Sequence, residues 1–371
     1  MCRIKERFAL TAFFLYNEDM KRSIFTKEGY LDFNQIMQNR MTYNFIVGGR
    51  GIGKTFGALL WAIQNHAKFI FMRRTQVQVD MIKSEEMNPF NALTSVLGKK
   101  YTFCMKKINK NITGVYNGEL DPDTGVYEPS GELLGYILAL STVSNIRGFD
   151  ASDIDLLIYD EFIGEKHEKV IRSEGTAFLN AIETIARNRE LQGRKPLKVV
   201  CLSNSNDLAN PVFIELKLVS MVEKMLKKDQ TALILPEREL AIYLINKSPI
   251  SEKKRQTSLY KLIGQSSFTD MALGNDFTED NMALIRSLNL NEYKPYVQVG
   301  ELFIYQHKSN KRKYYVSSHR SGKPAEVYDS TETELKRFNN SHYFFKLAYL
   351  NRNILFENYI LQVLFERYIN M

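Results

Sequence analysis

Gly48-Gly49-Arg50-Gly51-Ile52-Gly53-Lys54-Thr55 fills every position of the pattern GxxxxGK followed by Ser or Thr. Glycines let such a loop curl with its N–H groups turned inward, and the positive end of a following helix strengthens that cradle. An ammonium at the position of Lys54 reaches the β- and γ-phosphates of a nucleotide, and a hydroxyl at Thr55 takes a place on Mg²⁺. The setting is the required one, with Asn44-Phe45-Ile46-Val47 as a strand before the loop and Phe56-Gly57-Ala58-Leu59-Leu60 opening a helix after it. A glycine-rich turn that merely ends a strand is the plain alternative. From average residue frequencies a chain of this length yields a full match by chance on the order of one time in a hundred. ATP with Mg²⁺ is the expected ligand.

Farther along, Asp155-Leu156-Leu157-Ile158-Tyr159-Asp160-Glu161 is an apolar strand ending in an acidic pair. Asp160 at such a tip can hold Mg²⁺ through water, and Glu161 can take a proton from an attacking water as general base. Alone, the motif could be a solvated strand end. Paired with the glycine loop it favours hydrolysis, because a kinase hands phosphate to a bound acceptor and needs no water-activating Glu there. Val199-Val200-Cys201-Leu202-Ser203-Asn204 is a third apolar strand, and Asn204 at its tip either senses the γ-phosphate or forms a turn. Arg187 and Arg189 close a helical stretch before that strand, and Arg147 precedes the acidic one. Such an arginine reaches across a subunit boundary to the γ-phosphate, or only complements the dipole at a helix C-terminus.

These tips need a sheet to hold them together. Apolar runs at Tyr43 to Val47, Phe69 to Met72, Ile154 to Tyr159 and Val199 to Leu202 alternate with helix-like segments such as Thr55 to His66 and Val77 to Met87. That alternation predicts an α/β fold with a mainly parallel sheet covered on both faces. Turn signals at Asn109-Lys110-Asn111, Asn117-Gly118 and Asp121 to Gly125 predict hairpins within an insertion over 101–131. Beyond it, a helix over Val212 to Lys228 and a strand over Thr231 to Leu235 are expected, then strands over Val297 to Gln306 and Lys313 to Ser318, and one long helix from His342 to Tyr368. The expected division is an ATPase domain over 1–205, a linker over 206–246 and a C-terminal α+β domain over 247–371.

The 371 residues carry 50 Lys and Arg against 42 Asp and Glu, a net +8 that suits a polyanionic partner. Cys2, Cys104 and Cys201 are too few and too scattered for a disulfide framework or a zinc site, which fits a reducing compartment. No apolar run reaches the length of a membrane span. The basic start and the apolar stretch Phe8 to Tyr16 imitate a secretory signal, but Glu6 and Asn17-Glu18-Asp19 stand where a signal would not have them. A soluble, cytoplasmic protein with no membrane partner is expected.

Taken together, the chain resembles a viral DNA-packaging ATPase related to the large terminase subunit, most of all the short form of small tailed phages with protein-primed genomes. The likeness rests on Asn44 to Lys54, Phe71-Met72-Arg73-Arg74, Ile158 to Ile163, Arg187-Asn188-Arg189-Glu190, Cys201 to Asn204 and Asn210-Pro211, in that order. It implies an ASCE-type P-loop NTPase that hydrolyses ATP as a homo-oligomeric ring of five subunits. The ring would sit on the portal of an empty capsid and draw in double-stranded DNA, with a scaffold RNA between ring and portal left open. On this resemblance Arg187 falls on the trans-acting arginine finger and Arg147 on a second basic position between neighbours. Lys166, extended by His167, Lys169 and Arg172, falls on a loop facing the DNA, where phosphate contacts would be sequence-independent. An ordinary solvated helix face is the other reading of that cluster.

Larger terminases add an RNase H-like nuclease that uses clustered carboxylates on two metal ions. The C-terminal part here is expected to keep that fold in vestigial form without cleavage. Its acids (Asp276, Glu279, Asp280, Glu301, Glu332, Glu334) are absent from the interior of any predicted central strand. A basic run over Lys308, Lys311, Arg312, Lys313, Arg320 and Lys323, with Tyr314 and Tyr315, either contacts nucleic acid or portal or is a charged sheet edge. A helicase-like nucleic-acid-dependent ATPase, a nucleoside kinase and a nucleotide-binding assembly protein are the competing functions.

Overall fold

The computed structural model describes residues 23–369, apart from 85–86, 130, 147–148, 150, 165–170, 172, 205–209, 265, 267–268, 270–272 and 274–282. The chain forms two compact units, Met1–Asn206 with Thr231–Asn275, and Asp207–Gln230 with Asp276–Met371.

In the first unit the apolar runs become strands because both of their faces are covered. Its strands are β1 (Tyr43–Gly48), β2 (Phe69–Arg73), β3 (Phe103–Lys107), β4 (Thr113–Asn117), β7 (Leu133–Ala139), β8 (Leu156–Asp160), β9 (Lys198–Ser203), β10 (Ala232–Leu235) and β11 (Leu240–Ile245). The hairpin β5 (Glu119–Leu120) and β6 (Tyr127–Glu128) stands apart, inside the expected insertion. The nine-stranded sheet runs β10-β11-β1-β9-β8-β2-β7-β4-β3. Its six central strands, β11 through β7, are mutually parallel, and β10, β4 and β3 join antiparallel at the edges. Phe45, Ile46 and Val47 of β1 and Phe69, Ile70, Phe71 and Met72 of β2 are fully buried, as a doubly covered sheet requires. Helix α1 (Phe33–Met37) precedes β1, and helices α2 (Lys54–Gln64), α3 (Gln76–Ile82), α4 (Asn91–Leu97) and α5 (Glu174–Ala186) lie between strands.

The expected linker holds sheet strands. β11 pairs with β1 from Tyr43↔Leu240 to Gly48↔Ile245, and β10 folds back on β11 through a turn in which Glu239 takes φ 48°. Residues 232–245 thus close one side of the nine-stranded sheet, while α6 (Pro211–Glu215) and α7 (Val219–Lys227) belong to the second unit. The single helix expected over Val212 to Lys228 is interrupted at Lys217, where φ is +55°. After β11 the first unit continues with α8 (Pro249–Lys254) and α9 (Ser258–Ile263).

In the second unit β12 (Tyr293–Val299), β13 (Leu302–His307), β14 (Tyr314–Ser317), β15 (Glu326–Tyr328) and β16 (Ile354–Phe356) form a sheet in the order β15-β12-β13-β14-β16. The strand expected over Val297 to Gln306 is instead two, turned at Gly300, where a side chain would stand 2.8 Å from the Tyr368 hydroxyl. Likewise, α10 (Glu332–Ser341) is followed by α11 (Phe344–Leu350), β16 and α12 (Tyr359–Ile369) where one long terminal helix was expected. Arg352 at φ 56° breaks it, and Ile354-Leu355-Phe356 pairs in parallel with β14.

His342, between α10 and α11, is 6% exposed and packs against Phe338 and Phe345, with its Nδ1 buried and unpartnered. Burial lowers its pKa from 6.5 and outweighs Glu326, whose Oε2 lies 3.4 Å from Nε2. Below pH 6.5 the unfolded chain therefore binds a proton that the folded chain resists. Urea denaturation is expected to show stability falling as pH drops from 6.5 toward 5, with the fall reduced in His342→Phe.

Candidate functional site

The tips of β1, β9, β8 and β2 are neighbours along one edge of the parallel sheet, the edge at which α/β proteins collect their ligands. The glycine loop leaves β1 there. Gly51 and Gly53 adopt φ of +72° and +89°, a region that other residues enter only with strain, and Gly53 leads directly into α2. Lys54 is 5% exposed, and its Nζ donates to the carbonyls of Gly48 (2.6 Å) and Gly49 (2.7 Å). Burial pushes its pKa down to about 7, opposed by the charge of Asp160.

Thr55 Oγ1 donates to Asp160 Oδ2 at 2.9 Å, joining the loop to the tip of β8. A hydroxyl and a carboxylate at that spacing, beside a phosphate cradle, suit a hard divalent cation such as Mg²⁺. Asp160 is buried, which raises its pKa, while the Arg73 guanidinium works the other way from 3.3 Å. Glu161 takes φ 56°, and that turn sends its side chain to the partly exposed position where Arg73 Nη1 meets Oε2 at 2.5 Å. One guanidinium from β2 therefore grips both carboxylates of the acidic pair. The next residue, Arg74, donates from Nε and Nη2 to Glu174 Oε1 (2.6 Å) and Oε2 (2.8 Å), and Tyr159 OH adds a bond to the same carboxylate at 3.2 Å. This tie fixes the start of α5 against β2 and β8. Beside the loop lies a cavity of about 620 Å³, lined by Tyr30, Phe33, Phe56, Gly57, Trp61 and Val96 among others.

The structure thus brings together Gly48, Gly49, Arg50, Gly51, Ile52, Gly53, Lys54, Thr55, Asp160 and Glu161, with Asn204 half-buried one residue beyond β9. Arg187 lies elsewhere. Because α5 and the segment after it return the chain from the tip of β8 to the start of β9, Arg187 sits toward the opposite edge of the sheet, where its Nη2 donates to Phe149 O at 2.6 Å. Arg189, 3% exposed, donates to Ser152 O at 2.9 Å and serves the fold there. Arg147, Lys166, His167, Lys169 and Arg172 lie outside the described residues, as do Asp276, Glu279 and Asp280. Glu332 and Glu334 pair with Lys336 and Arg337 along α10. The basic run is exposed, but Tyr314 and Tyr315 point into the second unit's core, where neither offers a stacking platform.

The sequence reading gave no role to Arg73 or to the Arg74–Glu174 tie. Two adjacent arginines closing an apolar strand were the available signal, since such a strand end beside carboxylates has few other uses for a paired positive charge. Lys254 was also passed over. Its Nζ reaches the loop from α8 and donates to Arg50 O at 2.9 Å.

The family described as Podovirus DNA encapsidation protein (Gp16) matches residues 25–335. The DNA packaging protein of Bacillus phage PZA is 25% identical over 335 residues, covering 86% of this chain and 90% of that protein. The DNA packaging protein of Bacillus phage phi29 is 27% identical over 247 residues, which cover 65% of this chain and 64% of that relative. Among solved structures, the bacteriophage Phi-29 viral genome packaging motor assembly superposes with a TM-score of 0.62 at 18% identity, covering 94% of this chain and 99% of that one. The Phi-28 gp11 DNA packaging motor does so with a TM-score of 0.57 at 18% identity, covering 92% and 97%. The chain belongs to the podovirus DNA encapsidation protein (Gp16) family and is a phage DNA-packaging protein built on a P-loop ATPase fold.

Proposed function

We propose that the chain hydrolyses ATP at this site and uses the energy to move double-stranded DNA into a phage prohead in the infected cell. It does so as a homo-oligomeric ring, of five subunits on the family resemblance, docked at the portal. The observation that carries this reading is the convergence of Lys54, Thr55, Asp160 and Glu161 on one sheet edge, with Thr55 and Asp160 in contact. The loop amides from Gly48 to Gly53 cradle the phosphates, and Lys54 exchanges its carbonyl partners for the β- and γ-phosphates. Thr55 and Asp160 would hold Mg²⁺, which would supply charge neutralisation on the polyphosphate. Glu161 takes the proton of the attacking water on its carboxylate, whose Oε2 is held by Arg73. Asn204 senses the γ-phosphate from the tip of β9. The apolar, aromatic cavity beside Gly53 and Gly57 suits the adenine ring.

Arg187 cannot serve its own subunit's phosphates from the opposite edge of the sheet, and this supports its action as a finger in a neighbour's site, with Arg147 as a second basic contact. Lys166, His167 and Lys169 supply phosphate contacts to DNA. A scaffold RNA between ring and portal stays compatible with the net charge of +8. The test is to mix Arg187→Ala and Glu161→Ala subunits, each inactive alone. Each subunit supplies what the other lacks, so the mixture is expected to regain a measurable fraction of DNA-stimulated ATPase activity. If the mixture stays as inactive as either variant, the shared-site arrangement is wrong.

A further inference from the structure

We propose that Lys254 is a second phosphate-contacting lysine of the ATP site, delivered to the loop from α8 and selective for the triphosphate over the diphosphate. The proposal rests on the nucleotide reading of the loop. Lys254 Nζ lies 2.9 Å from Arg50 O, and a Cβ built at Gly51 would stand 2.0 Å from it. The ammonium therefore rests on the outer limb of the loop, next to the Gly48 and Gly49 carbonyls that hold Lys54. Lys54 is the lysine of the β- and γ-phosphates, so the adjoining limb lies on the terminal-phosphate side of the cradle. Lys254's partner there is a neutral carbonyl, and a triphosphate offers an anion within a short side-chain movement. A charge-assisted bond to phosphate is the stronger of the two. Partial burial already weakens the hold of Lys254 on its proton, and nearby negative charge would restore it.

The position of α8 is held firmly enough to make this reach reproducible. Ser248 and Ser251, both buried, bond at its start, and Lys253 Nζ donates to Glu28 O at 2.9 Å. The Gly29 backbone presses on it so closely that a Cβ there would stand 2.8 Å from Ile250 N. Glu28 and Tyr30 also line the cavity beside the loop. Through Lys253 and Lys254, one short helix thus touches both the wall of that cavity and the crown of the phosphate loop. A shift of Lys254 from carbonyl to phosphate would reach α8.

Calorimetric titration of the full chain with Mg²⁺-ATPγS and with Mg²⁺-ADP tests this. Lys254→Ala is expected to weaken ATPγS binding roughly tenfold and ADP binding less than twofold, the size of one lost charge-assisted contact. Lys254→Arg is expected to stay near wild type for both ligands. Thermal unfolding of each variant, and of Lys254→Met with its stem retained, separates a lost contact from a damaged fold. Equal weakening of both nucleotides, or no change in either, overturns the proposal and leaves Lys254 as a strut for the loop. Failure of the underlying reading looks different, because Lys54→Ala would then bind ATPγS as tightly as wild type.

Discussion

Glu161→Gln is expected to reduce steady-state ATP hydrolysis by about 10³-fold, within the 10²- to 10⁴-fold that a positioned general base contributes. ATP binding should persist, because the phosphate contacts of the loop and the Thr55–Asp160 pair are untouched by the change. The amide keeps the shape of Glu161 and its place against Arg73 but cannot accept the water's proton. Single-turnover hydrolysis of radiolabelled ATP, with filter binding in parallel, separates the two quantities. Loss of binding together with hydrolysis would mean that Glu161 holds nucleotide or metal and is not the base.

The largest effect on stability is expected at a residue that never meets the substrate. Arg74→Ala removes both bonds to Glu174, whose side chain is 1% exposed, and among the described residues leaves that buried carboxylate the hydrogen bond from Tyr159 OH. Breaking a buried pair from one side typically costs about 3–5 kcal/mol, most of it the penalty of the stranded charge. Urea denaturation should show a loss of that order. Arg74→Met combined with Glu174→Leu should recover much of it, since no charge is then buried alone. A loss under about 1 kcal/mol in Arg74→Ala would mean that water reaches Glu174 and that the tie holds α5 only weakly.

The ATPase core was legible in the sequence because its signals are local. A doubly covered parallel strand is a short apolar run, and β1, β2, β8 and β9 fall within two residues of where the runs place them. The phosphate loop and the acidic pair are contiguous motifs whose geometry follows from glycine torsions and from a strand tip. What escaped depends on partners far away in the chain. Leu240 to Ile245 is a strand because it lies beside β1, some two hundred positions earlier, and a run bounded by polar turns did not announce that neighbour. The terminal helix was over-read because the apolar residues of Phe344 to Leu350 and Tyr359 to Ile369 keep a helical spacing across the break. Only the pairing of Ile354 to Phe356 with β14 and the left-handed Arg352 interrupt it. Arg73, Arg74 and Lys254 acquire their roles from Asp160, Glu161, Glu174 and Arg50, and no spacing rule links those positions.

The central claim is that hydrolysis at this loop drives DNA into the head. The most direct measurement is DNA protected from nuclease after the protein is incubated with empty portal-bearing proheads, double-stranded DNA and ATP. Wild type is expected to protect DNA, and Glu161→Gln, though still binding ATP, is expected to protect none. Protection by Glu161→Gln equal to that of wild type would contradict the account, because DNA would then enter the head without the chemistry assigned to this site.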